Sequence, residues 1–376
     1  MNVYERTQRR LKTVFEAFDN VYVSFSGGKD SGALLNLCID YIRRYGLKRR
    51  IGVFHMDYEI QYRDTLSYVD RMLASNPDIL DVYRVCVPFK VPTCASMFQR
   101  YWRPWEEGKR ELWVRAMPAG SYTRGSFPFF SEEMWDYEFQ NRFAEWLHRR
   151  CGATRTCCLI GIRTQESFNR WRTIYSDRNH HRFEGRRWIR QWADAGICNA
   201  YPIYDWLTTD VWTANGRFGW PYNRLYDLFH RAGVPLDTQR VASPFISQAL
   251  SSLHLYKAID PDMWGRMIGR VNGVNFAALY GRTSALGWQS ARLPLHALPA
   301  RHASRRDPPE LSGKALRKHP FLAREGRMPR RDDHRQTAQG RRSDRGRRPK
   351  RLPHRQAAGA HGVSRRSGYF RVQPVA

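Results

Sequence analysis

Apolar and polar positions change their period several times along this chain, and each change marks an element. Apolar residues recur every three to four positions over 5–18, which predicts a leading helix. "VYVSFS" (21–26) then mixes apolar and small residues in a short run, which predicts a strand over 20–26. The helical period returns over 31–44 and stops at Gly46. "RIGVFHMD" (50–57) predicts a second strand, "QYRDTLSYVDRMLA" (61–74) a helix and "DVYRVCVPF" (81–89) a third strand. Strands and helices alternating at this spacing are βαβ units. The expected fold class is therefore α/β, with a doubly wound, mostly parallel sheet.

The regular pattern breaks at about 90. Residues 90–131 are rich in Trp, Arg and Pro and form an expected insertion over the C-terminal edge of the sheet. A helix over 132–150 leads to a strand at 155–163, and a further strand is expected at 197–206. "TTDVWTANGRFG" opens a helix with Thr208 or Thr209 as its cap. From 221 to 282 the period is helical throughout, which predicts a helical C-terminal addition. The expected division is 1–220 for the α/β domain, 221–290 for a helical subdomain and 291–376 for a basic tail.

Charge separates the tail from the rest. The 376 residues carry a formal +28, and residues 291–376 hold 23 Lys/Arg against 6 Asp/Glu, a net +17 that leaves +11 for the first 290. The tail has 3 of the 51 aromatics and no Trp or Cys, too little apolar surface for a core, so disorder is expected there. A nucleic-acid-binding tail and an unnatural terminus are the competing readings of the same composition. A basic chain favours nucleotides, nucleic acid or other polyanions as partners.

The seven cysteines (38, 86, 94, 151, 157, 158, 198) are odd in number and follow no secreted framework. With no signal peptide and no long apolar run, the expectation is a reduced cytoplasmic protein without a membrane partner. Cys157 and Cys158 are adjacent on a strand, so they should face opposite sides of it. No CxxC spacing supports an iron–sulfur cluster, and core packing is the expected role.

The strand–helix junction Ser26-Gly27-Gly28-Lys29-Asp30-Ser31 carries the chemistry. Two glycines let the backbone turn sharply and aim successive N–H groups into one concavity. The following helix adds its positive end, the serines add hydroxyls and Lys29 adds a mobile charge. This is a cradle for phosphate or pyrophosphate. Asp30 suits either capping of the helix or orientation of Mg²⁺. The spacing is neither that of a P-loop nor G-x-G-x-x-G.

These six residues resemble the pyrophosphate loop of the ATP pyrophosphatase (PP-loop) superfamily, in its phosphoadenosine-phosphosulfate reductase-like branch. "GIRTQESFNR" (161–170), "YPIYDWLTTDVW" (201–212) and "PYNRLYDLFHRAG" (221–233) resemble later signatures of that family, in the same order. The stretches 94–120 and 221–282 resemble an uncharacterised subgroup with an extra C-terminal domain, often found beside a ParB-like partner. The resemblance implies an adenine nucleotide alpha hydrolase-like fold and ATP or phosphoadenosine phosphosulfate as ligand, with Mg²⁺.

It also implies a set of site residues: Ser24, Ser26, Gly27, Gly28, Lys29, Asp30 and Ser31 around the loop, then Gly161, Arg163, Glu166, Ser167 and Arg170. Lys29, Asp30 and Arg163 are the expected catalytic groups, with Asp30 at the metal. Asp57 is the expected polar contact to the adenosine, with capping of a turn as its competing role, and His55 is expected to be structural. Glu166 and Arg170, four apart, also suit a helix ion pair. Two reactions are open to such a fold: adenylation of an acceptor with release of pyrophosphate, or attack of a cysteine thiolate on a sulfonucleotide. No cysteine follows Cys198, and the reductase Glu-Cys-Gly-Ile-His signature is absent. Adenylation, in the service of sulfur transfer, is the leading expectation; a non-catalytic nucleotide sensor that binds nucleic acid is the third. Tyr101, Trp102, Arg103, Trp105, Arg110 and Trp113 interleave rings and charges, which suits either a nucleic-acid surface or a lid.

Overall fold

The computed structural model describes residues 1–280, apart from 97, 177–180, 193–195 and 248. The basic stretch 291–376 lies outside the described residues. In chain order the elements are α1 (Val3–Ala17), β1 (Asn20–Ser24), α2 (Lys29–Arg44), β2 (Ile51–Met56), α3 (Arg63–Ala74) and β3 (Leu80–Val85). A two-stranded ribbon, β4 (Val91–Pro92) and β5 (Tyr101–Trp102), opens the insertion. Then come α4 (Asp136–Arg150), β6 (Thr156–Ile160), α5 (Phe168–Tyr175), β7 (His181–Arg182), β8 (Ile189–Gln191) and β9 (Ile197–Ala200). Five helices close the described chain: α6 (Thr208–Phe218), α7 (Leu225–Arg231), α8 (Leu255–Ile259), α9 (Pro261–Met267) and α10 (Val274–Tyr280).

The seven-stranded sheet has the order β3-β2-β1-β6-β9-β8-β7. The first five strands run parallel, as the alternating pattern predicts. The last two are antiparallel, an edge of two and three residues that is too short to leave a period in the sequence. The chain leaves β1 toward β2 on one side and enters β6 on the other. The crevice beyond Ser24 and Ile160 is therefore a topological switch point, where open α/β sheets bind ligands.

Alternation along the strands sends side chains to two cores. Val21, Val23, Cys157, Leu159 and Cys198 pack with α1, α2, α3 and α6 on one face. Tyr22, Phe54 and Cys158 pack with α4 and with residues of α7, α8, α9 and α10 on the other. The helical C-terminal residues thus share one continuous core with the sheet. Cys157 and Cys158 do face opposite sides, and burial raises both thiols, Cys158 to about 12.

Two helix starts follow their local chemistry, and α6 departs from its expected cap. Asn2 and Glu5 form a reciprocal cap on α1, and Asp260 accepts from the Met263 amide ahead of Pro261 in α9. Neither Thr208 nor Thr209 caps α6. Both already lie within its first turn, Leu207 is the cap residue, and the Asp210 carboxylate accepts the Leu207 amide at 2.7 Å.

Candidate functional site

The loop after β1 is shaped by close approach. Gly27 has φ +78°, and a Cβ there would sit 2.7 Å from a Val69 methyl group. A Cβ on Gly161 would sit 3.0 Å from the Asp30 carbonyl and the Ser31 amide, so only glycine lets the end of β6 reach the start of α2. The Ser26 amide donates to Ser31 Oγ (3.2 Å), and the two hydroxyls lie 3.1 Å apart. Gly28 is the cap residue of α2 and supplies no side-chain oxygen to its first-turn amides. A positive helix end with no cap from its own N-cap residue thus faces the crevice.

Three residues from far downstream hold this loop. Asn223, fully buried, donates from Nδ2 to Gly27 O (3.0 Å) and to Thr65 Oγ1 (2.9 Å). The Lys29 amide donates to the Tyr226 hydroxyl at 3.0 Å, and Lys29 Nζ donates to Gln239 O at 3.1 Å. The ammonium also lies 3.3 Å from Asp30 Oδ2. Lys29 is thus a buried charge clamped between its neighbour and the C-terminal part of the chain.

Arg163 does not stand over the cleft. It is 1% exposed, with Nε donating to Asp30 Oδ1 at 2.6 Å and Nη1 to Gln165 Oε1 at 3.1 Å. Asp30 lines the cleft, yet its two oxygens serve Arg163 and Lys29. The residues present do not fit a Mg²⁺ ion held by Asp30. That carboxylate is already committed to two cations, and among the described residues no group of three or more His, Cys, Asp or Glu side chains could hold a metal.

Ser24, Ser26, Gly28, Lys29, Asp30 and Ser31 line the cleft, and Gly161, Glu166 and Arg170 line its β6 side. Gly27 and Ser167 do not; Ser167 caps α5, its hydroxyl accepting the Arg170 amide at 3.3 Å. Glu166 and Arg170 form the ion pair that their spacing predicts. Arg240, which no local motif marks, adds a further cation to the wall and donates to Glu166 O at 2.8 Å.

On the β2 side, Asp57 lines the cleft with its carboxylate occupied. Arg84 pairs with it at 2.9 Å, Arg115 pairs with it as well, and the Glu59 amide donates to it at 3.0 Å. Burial alone would raise this carboxyl, but the Arg115 and Arg84 guanidinium groups outweigh burial and hold it below the usual range. His55 is buried with Nδ1 2.8 Å from Phe25 O, and burial lowers its pKa, so it stays neutral and structural. Glu59 lies beneath, fully buried at φ +68°. It takes both arms of Arg270 at 2.9 and 2.8 Å and accepts the amides of Trp105 and Val114.

The cleft that remains is small, about 110 Å³. Val241, Ala242, Ser243 and Ile246 cover it, and Gln61 Nε2 donates to Ala242 O at 3.0 Å. No cysteine is among its lining residues. The insertion aromatics serve elsewhere: Trp102 and Trp105 are 3% and 1% exposed, and Trp105 Nε1 donates to Asp57 O at 2.6 Å. These two wall the fold, whereas Tyr101 and Trp113 are half-buried.

Comparison with known proteins adds the following. Residues 233–301 match the family described as Domain of unknown function (DUF3440). Solved structures with a similar fold include phosphoadenylyl-sulfate (PAPS) reductase from Candida auris, 15% identical over 59% of this chain and 84% of that chain, with a TM-score of 0.32. Candida glabrata FMN adenylyltransferase in complex with ATP is 14% identical over 60% of this chain, with a TM-score of 0.35; the match spans only 57% of the adenylyltransferase. The U34-tRNA thiolase NcsA from Methanococcus maripaludis is 10% identical over 73% of this chain and 79% of that chain, also at 0.35. Likenesses this distant bear on neither ligand nor reaction, and the architecture rests on the sheet order itself. No described helix is long and apolar enough to cross a membrane. YbdN, an uncharacterized protein of Escherichia coli (strain K12), is 32% identical over 319 residues, covering 81% of this chain and 77% of YbdN. At that identity and coverage the family is shown: the chain belongs to that of YbdN.

Proposed function

We propose that this chain is an enzyme that binds an adenine nucleotide, ATP in the first place, with its phosphates on the Ser26–Ser31 loop. The reading is carried by one observation: the N-terminus of α2, which Gly28 leaves without a side-chain cap, opens onto the cleft at the topological switch point, flanked by paired serines. Lys29, Arg170 and Arg240 supply positive charge on the same wall, while Asp30, Asp57 and Glu166 are each paired to a cation.

In the reaction proposed, an acceptor oxygen attacks the α-phosphorus. The new P–O bond forms as the bond to the bridging oxygen breaks, pyrophosphate leaves with the electron pair, and the acceptor's proton passes to water. The chain's contribution is positioning and charge stabilisation by the loop amides, Lys29 and Arg170. Mg²⁺, where present, would be carried by the phosphates, since Asp30 is committed elsewhere. Sulfur transfer is a further step that an adenylated acceptor would permit. Sulfonucleotide reduction has less support, because no cysteine lines the cleft.

A second reading, a non-catalytic nucleotide sensor, is favoured by the contacts of Tyr226 and Gln239 with Lys29. Sites for small molecules usually run to roughly 300–1,000 Å³, so the covering segment must move to admit a whole nucleotide. Occupancy would then be transmitted to α7 and the residues after it.

Calorimetric titration of the full chain with ATP tests the site. Arg170→Ala, a change in the cleft wall, should weaken binding by about tenfold, as expected for one charge-assisted phosphate contact. Lys29→Ala should weaken it at least as much. A wild-type chain that binds neither ATP nor phosphoadenosine phosphosulfate overturns the reading. Pyrophosphate release that depends on an added acceptor separates the enzyme from the sensor.

A further inference from the structure

Helix α5 wears its rings on the outside. Phe168, Trp171 and Tyr175 are 70%, 45% and 36% exposed, whereas Ile174 is the buried residue of the helix. Spaced i, i+3 and i+7, the three share one face. Their rings form a ladder: Phe168 and Trp171 stack with centroids 5.9 Å apart and planes at 10°, and Trp171 and Tyr175 at 5.1 Å and 23°. The Arg172 guanidinium lies 5.9 Å from the Phe168 centroid and that of Arg187 lies 5.2 Å from Tyr175. The helix itself is anchored, by Ile174 packing with Ile162 and Tyr201, by the Ser167 cap, and by Arg190 donating to Arg172 O at 3.4 Å. Three contiguous exposed rings on an anchored helix are an interaction surface rather than leftover apolar area.

The charge around the ladder selects the partner. Arg172 and Arg187 flank the rings, and Arg186 follows on the adjacent turn with Glu184 paired to it at 3.1 Å. The chain up to residue 290 is itself basic, +11 once the +17 of residues 291–376 is taken from +28. Exposed rings with guanidinium groups over two of them suit a polyanion that carries flat π-faces of its own. Duplexes hide those faces, and single strands expose them. We infer that the ladder Phe168–Trp171–Tyr175 is a platform for single-stranded nucleic acid, with bases on the rings and phosphates on Arg172 and Arg187. Arg170 leaves another side of the same helix to line the cleft. A strand on the ladder therefore lies about one helix diameter, ~10–12 Å, from the loop site. The inference does not depend on what the cleft binds, because none of the three ring residues lines the cleft.

The test uses the full chain and fluorescence anisotropy with a labelled oligothymidylate of about 15 nucleotides, the upper range of such sites, and a duplex of the same length. No nucleotide is added, so the outcome is separate from that of the ATP titration. The single strand should bind more tightly than the duplex. Trp171→Ala should weaken single-strand binding about tenfold, and the triple change Phe168→Ala, Trp171→Ala, Tyr175→Ala about a hundredfold. Neither removes charge, so the salt slope should hold, whereas Arg187→Ala should lower that slope by about one. Trp171→Phe keeps a ring and should retain most of the affinity, which guards against a merely misfolded alanine variant. Unchanged affinity in the triple variant, or equal binding of duplex, overturns the inference. So does a wild-type dimer that sedimentation shows the triple variant to dissociate, since the ladder would then be the seat of a second copy of this chain.

Discussion

Residues 101–113 and 168–175 both interleave aromatic rings with guanidinium groups, and the fold uses them in opposite ways. In the first, Trp102 and Trp105 are buried, and the Trp105 backbone and indole are tied to Glu59 and Asp57. In the second, the rings stack on one another in water. The difference lies in what packs against them. Arg270 of the helical C-terminal region crosses over the insertion to Glu59, and Trp102 packs edge-on against Phe245, so a second layer covers the first set. Among the described residues nothing covers the faces of the second set to that degree. An aromatic–basic stretch is therefore a statement about available surface, and burial decides whether it builds core or binds.

The sharpest way to break this comparison is to exchange one tryptophan from each region. Trp105→Ala should destabilise the chain by about 3–5 kcal/mol, as for other large core aromatics, measured by urea unfolding. Arg270→Ala should cost about as much, roughly 3–5 kcal/mol, because it leaves Glu59 charged and unpaired in the interior. If urea midpoints in either variant stay at the wild-type value, the insertion is not the covered layer described above.

A smaller effect is set by pH. Asp136, the first residue of α4, is buried beside the insertion, and that burial raises its carboxyl to about 6 despite hydrogen bonds from Tyr58 and the Tyr137 amide. Between about pH 4 and pH 6 the folded chain keeps a proton that the unfolded chain has released. This group's contribution is thus fully present below about pH 4 and lost as pH rises through 6. Asp136→Asn should remove that decline and stabilise the chain above pH 7 by on the order of 2–3 kcal/mol. Parallel pH–stability curves for the two proteins would refute the assignment. Smallest of all, Trp171→Ala should shift folding stability by less than about 0.5 kcal/mol, while its effect on oligonucleotide binding is large. A comparable loss of stability at both tryptophans would erase the contrast between the regions.

Much of the fold was legible in the residues because its signals are local. Strand alternation at 20–26 and 50–57, the helical period of 31–44 and the glycine pair before Lys29 each act within a few positions of themselves. So do the Glu166–Arg170 pair and the stop at Gly46, whose φ is +59°. The parallel core of the sheet follows from them, since βαβ units of this length have few other ways to pack. The edge strands β7 and β8 were not legible, at two and three residues.

Tertiary structure alone decided the rest. Sequence placed Arg163 after a strand end, but not the Asp30 carboxylate 2.6 Å from its guanidinium. It marked Lys29 as a phosphate ligand, but not the Tyr226 hydroxyl and Gln239 carbonyl that hold its amide and its ammonium. It named Asp57 without Arg84 and Arg115, and it singled out Trp102 and Trp105 without the packing that buries them. The reason is common to all of these. A backbone turn or a helical face is set by neighbours in the chain. The partner of a charge and the cover over a ring are set by whichever distant segment the packing brings alongside, and no local pattern carries that information.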